Sequence, residues 1–255
     1  MDMSINIKNA IIEFLKYTEK YDLEDENIQR RKEHSLRVMN ISETIARKLN
    51  LSEEEIQLST LIGLLHDIAR FEQYKRYQTF KDSNSFDHGN YALKILNRDI
   101  RKYIEQDDYD EIIRKAIKNH NKFIIEDELT KKEELFAKII RDADKIDILY
   151  ESVELFWKGK EEVVEKSVIS QEVFEAIQSN KLIKKQKNKN YEKIDSVVLI
   201  IAFIFDINFN VSFEIIKNGN YIDGILNRYN MRDEYTKNAI EEVRKIANNY
   251  IYNNQ

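Results

Sequence analysis

Across 255 residues the chain contains no proline and only five glycines. Average usage is roughly 5% proline and 7% glycine, and these two residues punctuate short strands and stop helices. A chain so poor in both reads as a set of long helices, and its apolar residues agree. In Ile7–Tyr17, the residues Ile7, Ile11, Phe14 and Leu15 share one side, and in Asn27–Leu49, Val38, Ile41, Ile45 and Leu49 recur at steps of three and four. Ser52 followed by Glu55 predicts a capping box at the start of the next helix. That helix is apolar nearly all round through Leu58, Leu61, Ile62, Leu64 and Leu65, which marks it as central, and it runs into His66-Asp67. Further helices are expected at Asp87–Asn97, Asp107–Asn119, Lys132–Lys158, Gln171–Ser179, Asp195–Phe209, Ser212–Lys217 and Asp233–Tyr252. No alternating pattern competes with them, so the fold class is all-α.

Between the helices, Gln78 to Asp87, with Lys81-Asp82-Ser83-Asn84-Ser85, reads as a surface loop of the kind that often carries function. The lysine-rich stretch Lys181–Lys193 reads as a solvated linker or insertion. The aromatic residues Trp157, Phe203, Phe205 and Tyr221 of the second half read as core. With no proline- or glycine-rich linker near residue 150, the structure is expected to be continuous, with a core over residues 1–150 and a helical C-terminal extension over 151–255 packed on it.

Charge and composition exclude several functions. Lys and Arg number 41 against 46 Asp and Glu, a formal net charge of −5, which provides neither an extended nucleic-acid surface nor a polybasic membrane patch. The most apolar run, Val197 to Phe205, is about half of the ~20 residues that a membrane span needs. The opening MDMSINIKNA has no basic region followed by an apolar stretch, so a cytoplasmic location is expected. The absence of cysteine removes disulfides, thiolate nucleophiles and sulfur-ligated metals, so any metal must be held by histidine nitrogen and carboxylate oxygen.

Only four histidines exist for that task, and all lie in the first half: His34 in Glu33-His34-Ser35-Leu36-Arg37, His66 in Leu65-His66-Asp67-Ile68-Ala69-Arg70, His88 in Asp87-His88-Gly89, and His120 in Asn119-His120-Asn121. An Asp beside His66 at the end of an apolar helix is costly to bury unless it is paired or coordinates a metal. Downstream, Arg141-Asp142-Ala143-Asp144-Lys145 opens onto another apolar helix. A His, a His-Asp pair and an Asp on three separate helices resemble the HD-domain superfamily of metal-dependent phosphohydrolases. The strings around His66, His88 and Asp144 look like a bacterial subgroup of it, and the resemblance spans about residues 27–150.

That resemblance implies a helical bundle in which His34, His66, Asp67 and Asp144 bind a divalent metal. It also implies a second metal held by His88 and His120, with Asp67 bridging. Asp147, one turn from Asp144, is expected to orient it or a lysine. The chain departs from the members that degrade cyclic dinucleotides: it has Asn121 where they often carry another His, and it lacks their GYP signature. Arg70, three residues after Asp67, is expected to hold phosphate oxygens beside the catalytic Asp67, with Lys122, Lys145 and Arg37 as further substrate-binding candidates.

The implied chemistry is hydrolysis of a small phosphorylated substrate, a nucleotide being the favoured class, by water whose pKa a divalent ion lowers. The histidine content favours Mn, Fe, Co or Ni over Mg, with one or two ions bound. The alternatives are a di-iron oxygenase with the same ligand order and a non-catalytic nucleotide-binding or regulatory module. A homodimer is expected as the assembled form, with no membrane partner.

Overall fold

The computed structural model describes residues 5–154, 158–183 and 189–254, which form helices and connecting turns with no strand among them. It divides into two compact units, Met1–Asp144 and Lys145–Gln255.

The first unit begins with α1 (Ile7–Thr18), α2 (Glu26–Lys48) and α3 (Glu53–Leu65). Asp25 caps α2 through the backbone amides of Asn27 and Ile28, and Ser52 caps α3 in the expected capping box with Glu55. As its all-round apolar sequence requires, α3 is buried from Ile56 to Leu65 and packs along α2. The close approach of these two helices depends on Gly63. A β-carbon there would stand 2.9 Å from Met39 Cα and Val38 O, and 2.7 Å from Ser42 Oγ.

The chain then breaks at the end of α3. Asp67 leaves helical geometry at φ −104°, ψ 18°, and α4 (Ile68–Tyr77) restarts after it. The break turns both His66 and Asp67 inward, with exposures of 0% and 3%. Buttressing comes from α1, where Phe14 meets Phe71 edge-on at 5.9 Å between ring centres and the Tyr17 hydroxyl donates to Ile68 O at 3.1 Å.

The loop 78–87 follows, with a 3-10 turn at Asp82–Asn84, and then α5 (His88–Asp99), capped by Asp87. After α6 (Asp110–Asn119) the chain enters α7 (Lys131–Glu154), and the division between the units falls inside this last helix. The expected end of that helix at Lys158 crosses residues 155–157, which lie outside the described residues, as does Trp157.

The second unit continues with α8 (Glu161–Glu165), α9 (Gln171–Gln178), α10 (Lys193–Ile201), α11 (Asn210–Asn218), α12 (Tyr221–Leu226) and α13 (Glu234–Asn253). Asp195 holds the turn before α9 to the start of α10 by accepting from the amides of Ser170 and Glu192 at 2.8 and 3.0 Å. The single helix expected over Asp195–Phe209 is instead α10 followed by a 3-10 turn at Ala202–Asp206 and extended backbone at Ile207. In that turn Phe205 stacks edge-on against Tyr250 of α13 at 4.9 Å. The linker reading of Lys181–Lys193 falls partly on residues 184–188, outside the described residues. No helix among the described residues is long and apolar enough to cross a membrane.

Candidate metal centre

The first unit brings His34 from α2, His66 and Asp67 from the α3–α4 break, His88 from the first turn of α5, His120 from the end of α6 and Asp144 from α7 to one place. All four histidines are at most 4% exposed. His34 Nε2 stands 3.2 Å from His66 Nε2 and 3.2 Å from Asp144 Oδ1. On the other side His88 Nε2 stands 2.9 Å from His120 Nε2.

Asp67 lies between the two pairs and turns one oxygen to each. Its Oδ2 is 3.6 and 3.7 Å from His34 and His66 Nε2, and its Oδ1 is 3.5 Å from both His88 and His120 Nε2. His34, His66 and Asp144 form one group able to hold a cation, and His66, Asp67 and His120 another, the ligand atoms of each lying within 4.8 Å of one another.

Hydrogen bonds on the far side of the rings fix which nitrogen faces inward. His66 Nδ1 lies 2.8 Å from Gly63 O, His120 Nδ1 2.6 Å from Ile117 O, and His88 Nδ1 2.7 Å from Asp82 Oδ2. Each acceptor takes the Nδ1 proton, so the neutral ring presents an unprotonated Nε2 to the centre, the form that binds metals. His88 is held in that form by its surroundings. Burial and, next, the charge of Arg70 lower its pKa to about 4 against the opposing hydrogen bond to Asp82.

Burial raises the Asp67 carboxyl, but His66, Arg31 and Arg70 offset this and keep it well below the usual range. Asp144 is likewise raised by burial and brought well below its ordinary value by the His34 and His66 imidazoles beside it.

The donor set fits a divalent cation. Two ligands ~2.0–2.1 Å from one ion stand about 3 Å apart, which is the spacing within each histidine pair. Two Nε2 lone pairs facing each other across that distance repel unless a positive charge lies between them. Asp67 Oδ1 is buried and finds no hydrogen-bond partner among the described residues, a state that costs about 1–3 kcal/mol and that a cation would relieve.

The cationic candidates fall into different places. Arg70 faces Asp67, its Nε 3.5 Å from Oδ1, while its Nη1 donates to Gln73 Oε1, Phe80 O and Asp82 Oδ1 at 2.6, 2.7 and 2.9 Å. Lys122 pairs with Asp87. Arg37 is partly exposed, one turn beyond His34. Lys145 belongs to the second unit and pairs there with Asp206 at 2.8 Å.

Three residues that the sequence did not single out join the centre. Arg31 donates from Nη1 to Asp67 Oδ2 at 2.8 Å and lies over the Phe80 ring at 4.7 Å. Its position three residues before His34 was the available signal, the same spacing that pointed to Arg70. Asp82 accepts from Arg70, Gln73, His88 and Asn121. Gln73, fully buried, links Asp82 to Ser85 Oγ and Phe86 O; nothing local in the sequence marks it. The backbone around His120 is fixed from α7, where Arg141 donates to Asn119 O at 2.9 Å and also to Lys122 O.

No curated protein and no solved structure matches the chain. A family model does match, that of the HD domain, over residues 31–149, the stretch that contains all six inward-facing His and Asp residues. Residues 31–149, a little under half of the chain, are therefore similar to the HD domain, which is typically that of a metal-dependent phosphohydrolase family.

Proposed function

We propose that the chain is a metal-dependent phosphohydrolase that acts on a small phosphate ester, a nucleotide being the favoured class, at a two-ion centre. Its ligands are His34, His66 and Asp144 on one side and His88 and His120 on the other, with Asp67 shared. The observation that carries this reading is the split of Asp67, whose two oxygens each face a different histidine pair at 3.5–3.7 Å. A carboxylate aimed in both directions fits a bridging role better than a single site, in which one oxygen would have no ion to face. All-nitrogen and oxygen ligation rich in imidazole favours Mn, Fe, Co or Ni over Mg.

Divalent ions bound there supply an acidified water and charge compensation on the phosphoryl oxygens. The residues of the chain do the rest. Asp67, the catalytic carboxylate of this reading, fixes the separation of the two histidine pairs and accepts from Arg31. Arg31 and Arg70 stand on either side of it as guanidinium donors for phosphate oxygens, whose paired N–H groups match that geometry. Arg70 is the more tightly tied of the two, which favours Arg31 for direct contact with substrate and Arg70 for orientation. Lys122 and Arg37 remain secondary substrate-binding assignments. The proposed setting is cytoplasmic, with a homodimer as the assembled form.

Phosphate release from a panel of nucleoside mono-, di- and triphosphates and simple phosphomonoesters, with Mn²⁺ and with chelator, tests this reading. Turnover that requires the ion and persists without oxygen supports hydrolysis. Turnover that requires O₂ transfers the site to the di-iron oxygenase reading, and bound metal with no turnover of any ester supports a non-catalytic module.

A further inference from the structure

The three histidines whose Nδ1 partners are described above are not anchored alike. His66 and His120 each donate to a main-chain carbonyl three residues earlier, so the backbone of their own turn fixes them. His88 donates instead to the side chain of Asp82, six residues earlier on the loop between α4 and α5.

That carboxylate divides its two oxygens. Oδ1 accepts from Arg70 Nη1 and Gln73 Nε2, both at 2.9 Å. Oδ2 accepts from His88 Nδ1 at 2.7 Å, from the His88 amide at 3.4 Å and from Asn121 Nδ2 at 3.3 Å. The arrangement leaves no slack on the α5 side. Asn121 lies against Gly89, where a β-carbon would stand 2.7 Å from Asn121 Oδ1.

We propose that Asp82 is a positioning residue that builds the His88–His120 subsite and couples it to Arg70, so that the two ion subsites differ in affinity and the Asp82-dependent one is the weaker, exchangeable one. The inference rests on the two-ion reading above. Without Asp82 the His88 ring loses the partner that takes its Nδ1 proton, so its tautomer and rotation are no longer set. Arg70 loses one of its three Nη1 acceptors and the only carboxylate among them at the same moment, which loosens its hold beside Asp67 Oδ1, the oxygen that faces this subsite. Among the described residues the hydrogen bonds of the Asp82 side chain go to Arg70, Gln73, His88 and Asn121, so the His34–His66–Asp144 side keeps its geometry.

Mn²⁺ titration of chelator-treated protein by calorimetry, followed by electron paramagnetic resonance to detect spin-coupled ion pairs, reads the two subsites separately. Wild type is expected to take two ions in two resolved steps. Asp82→Ala should weaken the second step by roughly 10–100-fold, the usual effect of removing a partner of a metal-bound histidine, and erase the coupled signal while leaving the first step within about threefold. Asp82→Asn can accept from His88 or from Arg70 but not both, so it should weaken the second step by a smaller factor; being nearly isosteric, it decides the matter if the alanine variant does not fold. A second step unchanged in both variants, with wild type binding two ions, overturns the role of Asp82 and leaves the two-ion centre standing. A wild-type chain that takes only one ion overturns the two-ion reading itself.

Discussion

His88 Nε2 lies 2.9 Å from His120 Nε2, although the two residues sit at the start of α5 and the end of α6, and both face one oxygen of Asp67. Two helices from separate parts of the sequence thereby present a pair of imidazole nitrogens to a single point. Removing one of the pair leaves the His34–His66–Asp144 side intact. His88→Ala is expected to retain one ion per chain and to lose the second, with phosphate-ester turnover down by at least 100-fold. Elemental analysis of the purified variant checks this, and two retained ions would remove His88 from the centre.

Arg31 donates to the Asp67 oxygen that an ion would share, and its buried Nε has no hydrogen-bond partner among the described residues. Arg31→Ala should raise KM for the phosphate ester by roughly tenfold, equivalent to about 1.4 kcal/mol, while the ion count stays at two. Arg31→Lys should recover part of the loss, since it restores the charge but not the planar fork. Steady-state kinetics with parallel metal analysis separates this from a disrupted centre.

Gly63 predicts a purely structural effect. A methyl group there meets backbone atoms of α2 at 2.9 Å, so α2 and α3 must separate. Gly63→Ala is expected to lower stability by roughly 1–3 kcal/mol, measured by denaturant unfolding of metal-free protein. An unchanged midpoint would mean that the two helices are not held that closely.

Glu126 carries the clearest pH prediction away from the centre. Hydrogen bonds from Lys118 and Lys115 lower its pKa from 4.5 to about 2, and its backbone amide donates to Asn119 Oδ1 at 2.8 Å. Between these values the unfolded chain takes up a proton that the folded chain does not. The stabilisation is therefore complete above about pH 4.5 and is lost as pH falls towards 2. Both partners are partly exposed, so the contribution is about 1 kcal/mol or less. Glu126→Gln should flatten the stability profile over that window by this amount, and an unchanged slope would show that the pairs contribute nothing.

The helices of the first unit were legible because their apolar stripes have a phase. The break at Asp67 was not, since Leu65, Ile68 and Phe71 continue an apolar spacing straight across it. Ile194 to Ile204 has the opposite problem. Buried almost all round, it has no phase, and nothing in it marks the change from α to 3-10 geometry at Ala202. The short α8 and α12 hold too few residues for a period to register.

At the centre, histidine was informative because it is scarce, and all four copies are gathered there. Arg31 and Asp82 belong to the 34% of the chain that is charged, so neither stands out by type. Asp82 gains its place only when the loop folds back over α4 and α5, a tertiary event with no local signature.

The central claim is a pair of ions shared by Asp67, and the most direct test is the number of divalent ions per chain in protein purified without chelator and measured by elemental analysis. Two transition-metal ions per chain in wild type, falling to none in Asp67→Ala of unchanged helicity, is the result predicted. A wild-type chain that holds no ion, or an Asp67→Ala variant that still holds two, would contradict it.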